Sequence, residues 1–431
     1  MKRSTLVLLG VVLVLALAIF FWEKKQPSTD QIEKEADKLF PSFPEKVDRI
    51  ERTGSDPVVL QKIGGDWRLK SPIEDPADNS SVEGFLEALK GAQASRIVEK
   101  VASPASLGLA PAKTQVTITG EKGEKILLGL GDKPPLEEGL YFVSGEKTGI
   151  VGDYTVDTMM KSVNDFRSRE LAAPLKPEDI SSAAYVINGK TVISVEKRNG
   201  AWFVTRPYED EADTNKAYQF VEDIILWPVM TFEDDMADLS FAGLFAPDEK
   251  MEMTTMDGAK VTVSIGHVKD QEKNLCYASV SNRKGLFAVS KNSVRILGRD
   301  PEELRSLSVF SSGLYNADKV EITSKSKVVL ENTKEKGWQV AGQKGREDDA
   351  RTVVYSLSGL QAEKLLPPQR KGVLLVEMTA ISKDGKSAVK FYEEAGTIYA
   401  ERDGRKALAQ LSREEGERLK ASILTLEEKK K

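Results

Sequence analysis

The chain has 431 residues, with 62 Lys and Arg against 67 Asp and Glu and a formal net charge of −5. Charges so evenly balanced give no cationic face for a polyanion, and no nucleic-acid partner is expected. One histidine, His267, and one cysteine, Cys276, exclude a two-imidazole zinc site and an intrachain disulfide, so the scaffold has to hold by packing.

In chain order, Met1-Lys2-Arg3-Ser4 precedes an uncharged apolar run from Thr5 to Trp22. As a helix this run spans about 27 Å at 1.5 Å per residue, near the thickness of a bilayer's hydrocarbon core. Phe20, Phe21 and Trp22 place aromatic rings at one end, and Glu23-Lys24-Lys25 closes the run with charge. Residues 1–22 are therefore expected to be a cytoplasmic tip and a single transmembrane helix in a bacterial cytoplasmic membrane, with the C-terminal domains extracytoplasmic. Lys2 and Arg3 nearly balance Lys24 and Lys25, but long domains translocate largely regardless of charge. Ala16-Leu17-Ala18 also suits a signal peptidase; the bulky residues beyond it favour an uncleaved anchor. Residues 23–46, carrying Pro27, Ser28 and the charges from Glu33 to Lys38, read as a linker.

The remainder is written three times. Trp67, Trp202 and Trp338 lie 135 and 136 residues apart, and Gly65-Asp66-Trp67-Arg68-Leu69 matches Gly200-Ala201-Trp202-Phe203-Val204, with Lys336-Gly337-Trp338-Gln339-Val340 as a weaker copy. An aspartate follows each Trp by eleven residues: Asp78, Asp213 and Asp349. Leu107-Gly108-Leu109 answers Ala242-Gly243-Leu244, Gly123 answers Gly258, and Leu130-Gly131 answers Ile265-Gly266. The third copy lacks the Gly-Leu element, as terminal repeats often diverge. The expected domains are 47–171, 172–311 and 312–431, each long enough to bury a core.

Within a copy, Val58 to Ile63 and Trp67 to Leu69 alternate like half-buried strands around Gly64-Gly65 and predict a hairpin. The aspartate then precedes helical spacing (Val82, Phe85, Leu86, Leu89; Ala217, Phe220, Val221, Ile224, Ile225; Val353, Leu357, Leu360), so Asp78, Asp213 and Asp349 are expected as N-caps rather than as a triplicated acid or cation ligand. Gln115 to Thr119, Lys125 to Leu130, Leu140 to Val143 and Thr148 to Val151 follow as strands. A closing helix is signalled by Val156, Met159, Met160, Val163 and Phe166, by Asp300-Pro301, and by the Ser412 to Glu415 capping box. Connections too short for parallel crossovers make the fold α+β: three tandem repeats of a small antiparallel or mixed β-sheet with packing helices, behind one N-terminal transmembrane helix. The tryptophans, which could stack a ligand, read better as core rings.

The search for chemistry returns no catalytic, cofactor-binding or metal-binding set. His267, on which any Ser-His-Asp arrangement would depend, falls on Asp132 in the first copy and reads as a variable loop position. Cys276 reads as a small buried thiol. Gly189-Lys190-Thr191 and Gly385-Lys386-Ser387 have Ala184 and Ala380 where a phosphate loop needs glycine, and read as hairpin tips. Gly129-Leu130-Gly131 lacks the third glycine of a dinucleotide fingerprint. Glu209-Asp210-Glu211 and Glu233-Asp234-Asp235 miss the calcium-loop spacing and read as solvated charged loops.

One apolar N-terminal segment, repeats of the form strand-Gly-x-Trp-strand-Pro, the Ala77-Asp78 and Ala212-Asp213 helix starts, and Gly108 to Pro111 with Gly243 to Pro247 together resemble the bacterial membrane-anchored family catalogued as domain of unknown function 4340. The likeness covers residues 47 to 310 well and 315 to 423 loosely. It implies an extracytoplasmic accessory subunit beside ABC-type transport components similar to those of gliding-motility systems, with Trp67, Trp202, Asp78 and Asp213 as fold determinants. The expected function is a non-enzymatic, membrane-anchored scaffold with protein partners in a transport or envelope complex. The alternative is a module binding envelope polysaccharide or peptidoglycan.

Overall fold

The computed structural model describes residues 37–98, 103–236, 238–293, 299–311, 314–333, 335–368, 372–383 and 385–427. The expected transmembrane helix over 1–22 lies outside the described residues; among those described, no helix is long and apolar enough to cross a membrane. The chain divides into two compact units. The first is Met1–Pro174 with Pro228–Phe232 and Arg283–Gly285; the second is Leu175–Trp227, Glu233–Asn282 and Leu286–Lys431. The first repeat thus falls in one unit, and most of the second joins the third in the other.

The first sheet comprises β1 (Val47–Gly54), β2 (Val58–Ile63), β3 (Asp66–Ser71), β4 (Asp75–Pro76), β5 (Arg96–Ile97), β6 (Thr114–Gly120), β7 (Lys125–Leu130), β8 (Leu140–Ser144) and β9 (Lys147–Val151). Its order is β4-β3-β2-β1-β6-β7-β8-β9-β5. Two meanders therefore run outward from the central β1–β6 pair, and the chain crosses from one edge to the other between β4 and β5. Helix α1 (Asn79–Lys90) makes that crossing, burying Val82, Phe85, Leu86 and Leu89. Asp78 caps it, accepting from the Ser81 N–H, one of the donors that a helix start leaves unsatisfied. Leu39 and Phe40, expected in the linker, lie in this core instead, and Leu39 N–H donates to the Ala92 carbonyl. The expected closing helix is broken into α2 (Asp153–Met159) and α3 (Val163–Phe166). Ser162 restarts it, its backbone N–H and hydroxyl both engaged by Asp165 Oδ2 at 2.8 Å.

The second copy repeats the plan. Strands β10 (Ile180–Ile187), β11 (Lys190–Arg198), β12 (Ala201–Arg206), β13 (Asp210–Glu211), β14 (Val229–Phe232), β15 (Glu249–Thr255), β16 (Lys260–Asp270), β17 (Leu275–Val280) and β18 (Phe287–Ser290) flank α4 (Thr214–Ile225). Within the second unit they run β13-β12-β11-β10-β15-β16-β17-β18. Asp213 caps α4 through Asn215 N and Lys216 N. The segment after Asp300 is only a 3₁₀ turn, Pro301–Leu304, although Asp300 does cap it.

The third copy has β19 (Lys319–Thr323), β20 (Lys327–Thr333), β21 (Gly337–Val340), α5 (Glu347–Ser358), β22 (Ala362–Leu366), β23 (Val373–Ser382), β24 (Gly385–Glu394), β25 (Thr397–Arg402), β26 (Leu408–Leu411) and α6 (Arg413–Glu427). Its sheet order is β21-β20-β19-β23-β24-β25-β26-β22. Asp349 is not the cap: Arg346 holds that position, and Asp349 sits inside the first turn with Glu347 and Asp348, where the helix dipole favours carboxylates. Ser412 Oγ accepts from Glu415 N ahead of α6.

Every described strand pairing is antiparallel, which removes the mixed-sheet alternative. The three indoles occupy equivalent buried sites, 1%, 3% and 6% exposed, opposite Lys62, Lys197 and Asn332. Rings so enclosed offer no face to a ligand.

Candidate functional site

The recurrent glycines mark one close backbone crossing. Gly108 and Gly243 adopt φ of 68° and 70°, a region that costs side-chain-bearing residues. A Cβ on Gly131 would lie 2.1 Å from the Leu107 carbonyl oxygen, and one on Gly266 would lie 2.0 Å from that of Ala242. The two loops are held against β7 and β16 by Asp132 N–H to Leu107 O and His267 N–H to Ala242 O, both 2.8 Å. This junction carries the only histidine, and here the first two copies differ.

In the first copy Lys113 pairs with Asp132. Strand registers align Thr114 opposite Leu130 with Glu249 opposite Ile265, so Asp248 stands where Lys113 stands, and His267 replaces Asp132. Two clefts of about 350 and 590 Å³ share Glu249, Ile265, Gly266 and His267. The larger adds Ile187, Val192 and Val268 as apolar lining, with Tyr185, Cys276 and Lys291. His267 Nδ1 is engaged with the Phe241 carbonyl at 3.1 Å, and Tyr185 donates to Glu249 Oε2 at 3.1 Å. Burial, and then Glu249, pushes the Cys276 thiol up to about 11, so at neutral pH it is a thiol and not a nucleophile. The opposing loop carries Leu239, Phe241 and Phe245, which are 44%, 63% and 78% exposed. Apolar walls, exposed rings and a few fixed polar groups make a surface suited to holding another molecule.

A second constellation was hidden in a segment expected to be a solvated loop. Asp210, from Glu209-Asp210-Glu211, is buried because its carboxylate takes two guanidinium groups: Arg305 Nε at 2.8 Å, and Arg405 Nε and Nη2 at 3.1 and 3.0 Å. Arg405 also donates to the carbonyls of Ser306 and Ser308, and Arg402 pairs with Glu211 at 2.8 Å. Burial raises the Glu211 carboxyl above its ordinary value, against the opposing pull of Arg402. The clasp joins the second copy to the third.

The first unit holds its counterpart. Asp75 takes Arg167 Nε at 2.7 Å and Arg283 Nε and Nη2 at 2.9 and 2.8 Å, and Arg283 donates to the carbonyls of Ser168, Glu170 and Leu171. Arg167 lies 3.8 Å from the Phe232 ring centroid. Asp75 and Asp210 both follow their Trp by eight residues, and Arg283-Lys284 and Arg405-Lys406 occupy corresponding turns before β18 and β26. In the third copy that offset falls on Arg346, which is turned onto Gln343, Asp349 and the carbonyls of Thr425 and Leu426. A carboxylate saturated by two guanidinium groups fixes geometry rather than carrying out chemistry. The shared offset was readable in the sequence; its burial was not.

The other singled-out residues fall elsewhere. Gly189 and Gly385 are at hairpin tips, as expected. Glu233 is half-buried against Lys269 rather than solvated, while Asp234 and Asp235 are exposed.

The family described as "Domain of unknown function (DUF4340)" matches residues 67–227 and 229–374. No curated protein and no solved structure matches the chain. The matched segments begin at the first recurrent Trp, take in both Gly-Leu junctions and both clasp aspartates, and cover well over half the sequence: the chain belongs to the DUF4340 family.

Proposed function

We propose that this chain is a non-enzymatic, membrane-anchored, extracytoplasmic accessory or scaffold protein of an ABC-type transport or gliding-motility-like envelope complex. The observation that carries the reading is the exposed apolar ridge of Leu239, Phe241 and Phe245 beside the His267 cleft. Large aromatic groups left uncovered on a closely packed body are the residues that anchor protein interfaces. The Asp210 clasp ties the second copy, which presents them, to the third. Mild solubilisation of native membranes followed by affinity recovery should bring down a stoichiometric partner; recovery of the chain alone, under conditions that preserve other envelope complexes, rejects the reading.

A second reading, a module for envelope polysaccharide or peptidoglycan, is favoured by a cleft of about 440 Å³ in the third copy. Tyr355, 54% exposed, lines it together with Asn316, Asp318, Asn332 and Arg351, an open ring face among hydrogen-bonding groups, a mixture suited to sugars. Glycan-array binding that is lost in Tyr355→Ala would select this alternative.

A further inference from the structure

We infer that the ridge on the second copy's Gly-Leu loop is the contact point for a protein whose docking surface is an apolar pocket framed by Lys and Arg. This inference rests on the protein-partner reading above and names the chemistry of that partner.

The first copy is an internal control for what the fold requires. At the same offsets from the repeat Trp, Leu239 and Phe241 correspond to Pro104 and Ser106, and the one-residue longer Phe245-Ala246-Pro247 replaces Ala110-Pro111. Both loops keep the buried leucine, Leu109 at 6% and Leu244 at 7% exposure. Both also keep the positive-φ glycine and the 2.8 Å backbone bond to the neighbouring strand. The junction therefore forms without rings at these places, and the second copy's aromatic groups do something other than hold it. The added residue coincides with the most exposed ring of the ridge, Phe245.

Charge selects the occupant. Asp238 corresponds to Ser103, and Asp248 stands where the first copy has Lys113. From Val229 to Glu249 the second copy contains no Lys or Arg, and Asp234, Asp235, Asp238 and Asp248 are exposed. An acidic rim is repelled by an anionic lipid surface. In a two-fold contact the same patch would meet itself and oppose like charges. A basic-rimmed apolar pocket on a different protein satisfies both the rings and the carboxylates.

The test places a benzophenone amino acid at position 245 of the full chain in its native membrane, with position 136 as a control, since Leu136 of the first copy is an apolar side chain 96% exposed. The expected result is one heterologous protein adduct at 245 and not at 136. Its yield should fall about tenfold or more in Asp238→Lys with Asp248→Lys, and comparably when Phe241→Ser is combined with the probe. Phe241→Ser installs the first copy's residue at an exposed site, so an unchanged thermal melt separates lost contact from lost fold. Adducts only to a second copy, only to lipid, equally at both positions, or indifferent to charge reversal overturn the inference. If affinity recovery still yields a stoichiometric partner in those cases, the scaffold reading stands and only this surface is misassigned.

Discussion

Replacing Asp210 by alanine should remove about 3–5 kcal/mol from the second unit, the usual cost of breaking a buried ion pair by deleting one partner. The carboxylate is 2% exposed, and the side chains of Arg305 and Arg405 are 7% and 1% exposed, so solvent cannot take over its role. Deletion strands four N–H donors, Nε and Nη2 of Arg305 and of Arg405, on two like charges in one site. Against a typical total of about 5–15 kcal/mol, even the lower figure shifts the folded population by more than about a hundredfold. Guanidinium denaturation followed by tryptophan fluorescence reads this directly, because Trp202, Trp227 and Trp338 lie in the second unit. Asp210→Asn should cost less, since one acceptor oxygen remains. Replacing Asp210, Arg305 and Arg405 together by apolar residues of similar size should restore most of the loss. A loss below about 1 kcal/mol for Asp210→Ala, the range of exposed ion pairs, would show that the clasp is hydrated and refute the assignment.

The neighbouring Glu211 gives a pH signature. Its folded carboxyl lies above the ordinary value of 4.5 because of burial, so the folded state holds the proton more tightly. Its contribution to stability therefore grows as pH falls through the window just above 4.5 and is lost as pH rises; Glu211→Gln should flatten that slope in pH-dependent melts, and an unchanged slope contradicts the assignment. Gly266→Ala should destabilise by about 1–3 kcal/mol through the Ala242 carbonyl clash. Gly84→Ala, in α1 with open space around it, should stabilise by up to about 1 kcal/mol, so calorimetric shifts of the same sign would disprove the close-approach account. Cys276, 2% exposed and held as a thiol, should react with Ellman's reagent only after unfolding; rapid labelling of the native chain would mean the strand opens.

Local rules read from single residues carried a large part of this architecture. The hairpin around Gly64-Gly65, the Asp78 and Asp213 caps and the burial of three indoles follow from turn chemistry, helix-end donors and side-chain periodicity, all of which act within a dozen residues, whereas the choice of antiparallel over mixed sheets was made by the strand pairings. Asp349 escaped because its helix starts three residues earlier than the repeat offset implies, a choice made by Arg346 reaching the end of α6. The closing helix over Val156 to Phe166 escaped for a similar reason: Ser162 and Asp165 form a cap inside what the apolar spacing alone reads as one helix.

Asp210 is the clearest case of what lay beyond the sequence. Between Glu209 and Glu211 it has the appearance of a solvated charge, and only the arrival of Arg305 and Arg405, 95 and 195 residues away, makes it a buried anchor. The candidate docking surface divides in the same way: its glycines recur visibly at fixed offsets, while the exposure of Phe241 and Phe245 depends on how that loop lies across β16. Spacing along the chain determines which groups can meet a neighbouring turn or strand. Whether a charge or a ring is then enclosed or left in water is settled by distant segments, because desolvation depends on everything that packs around a group and not on the residues beside it.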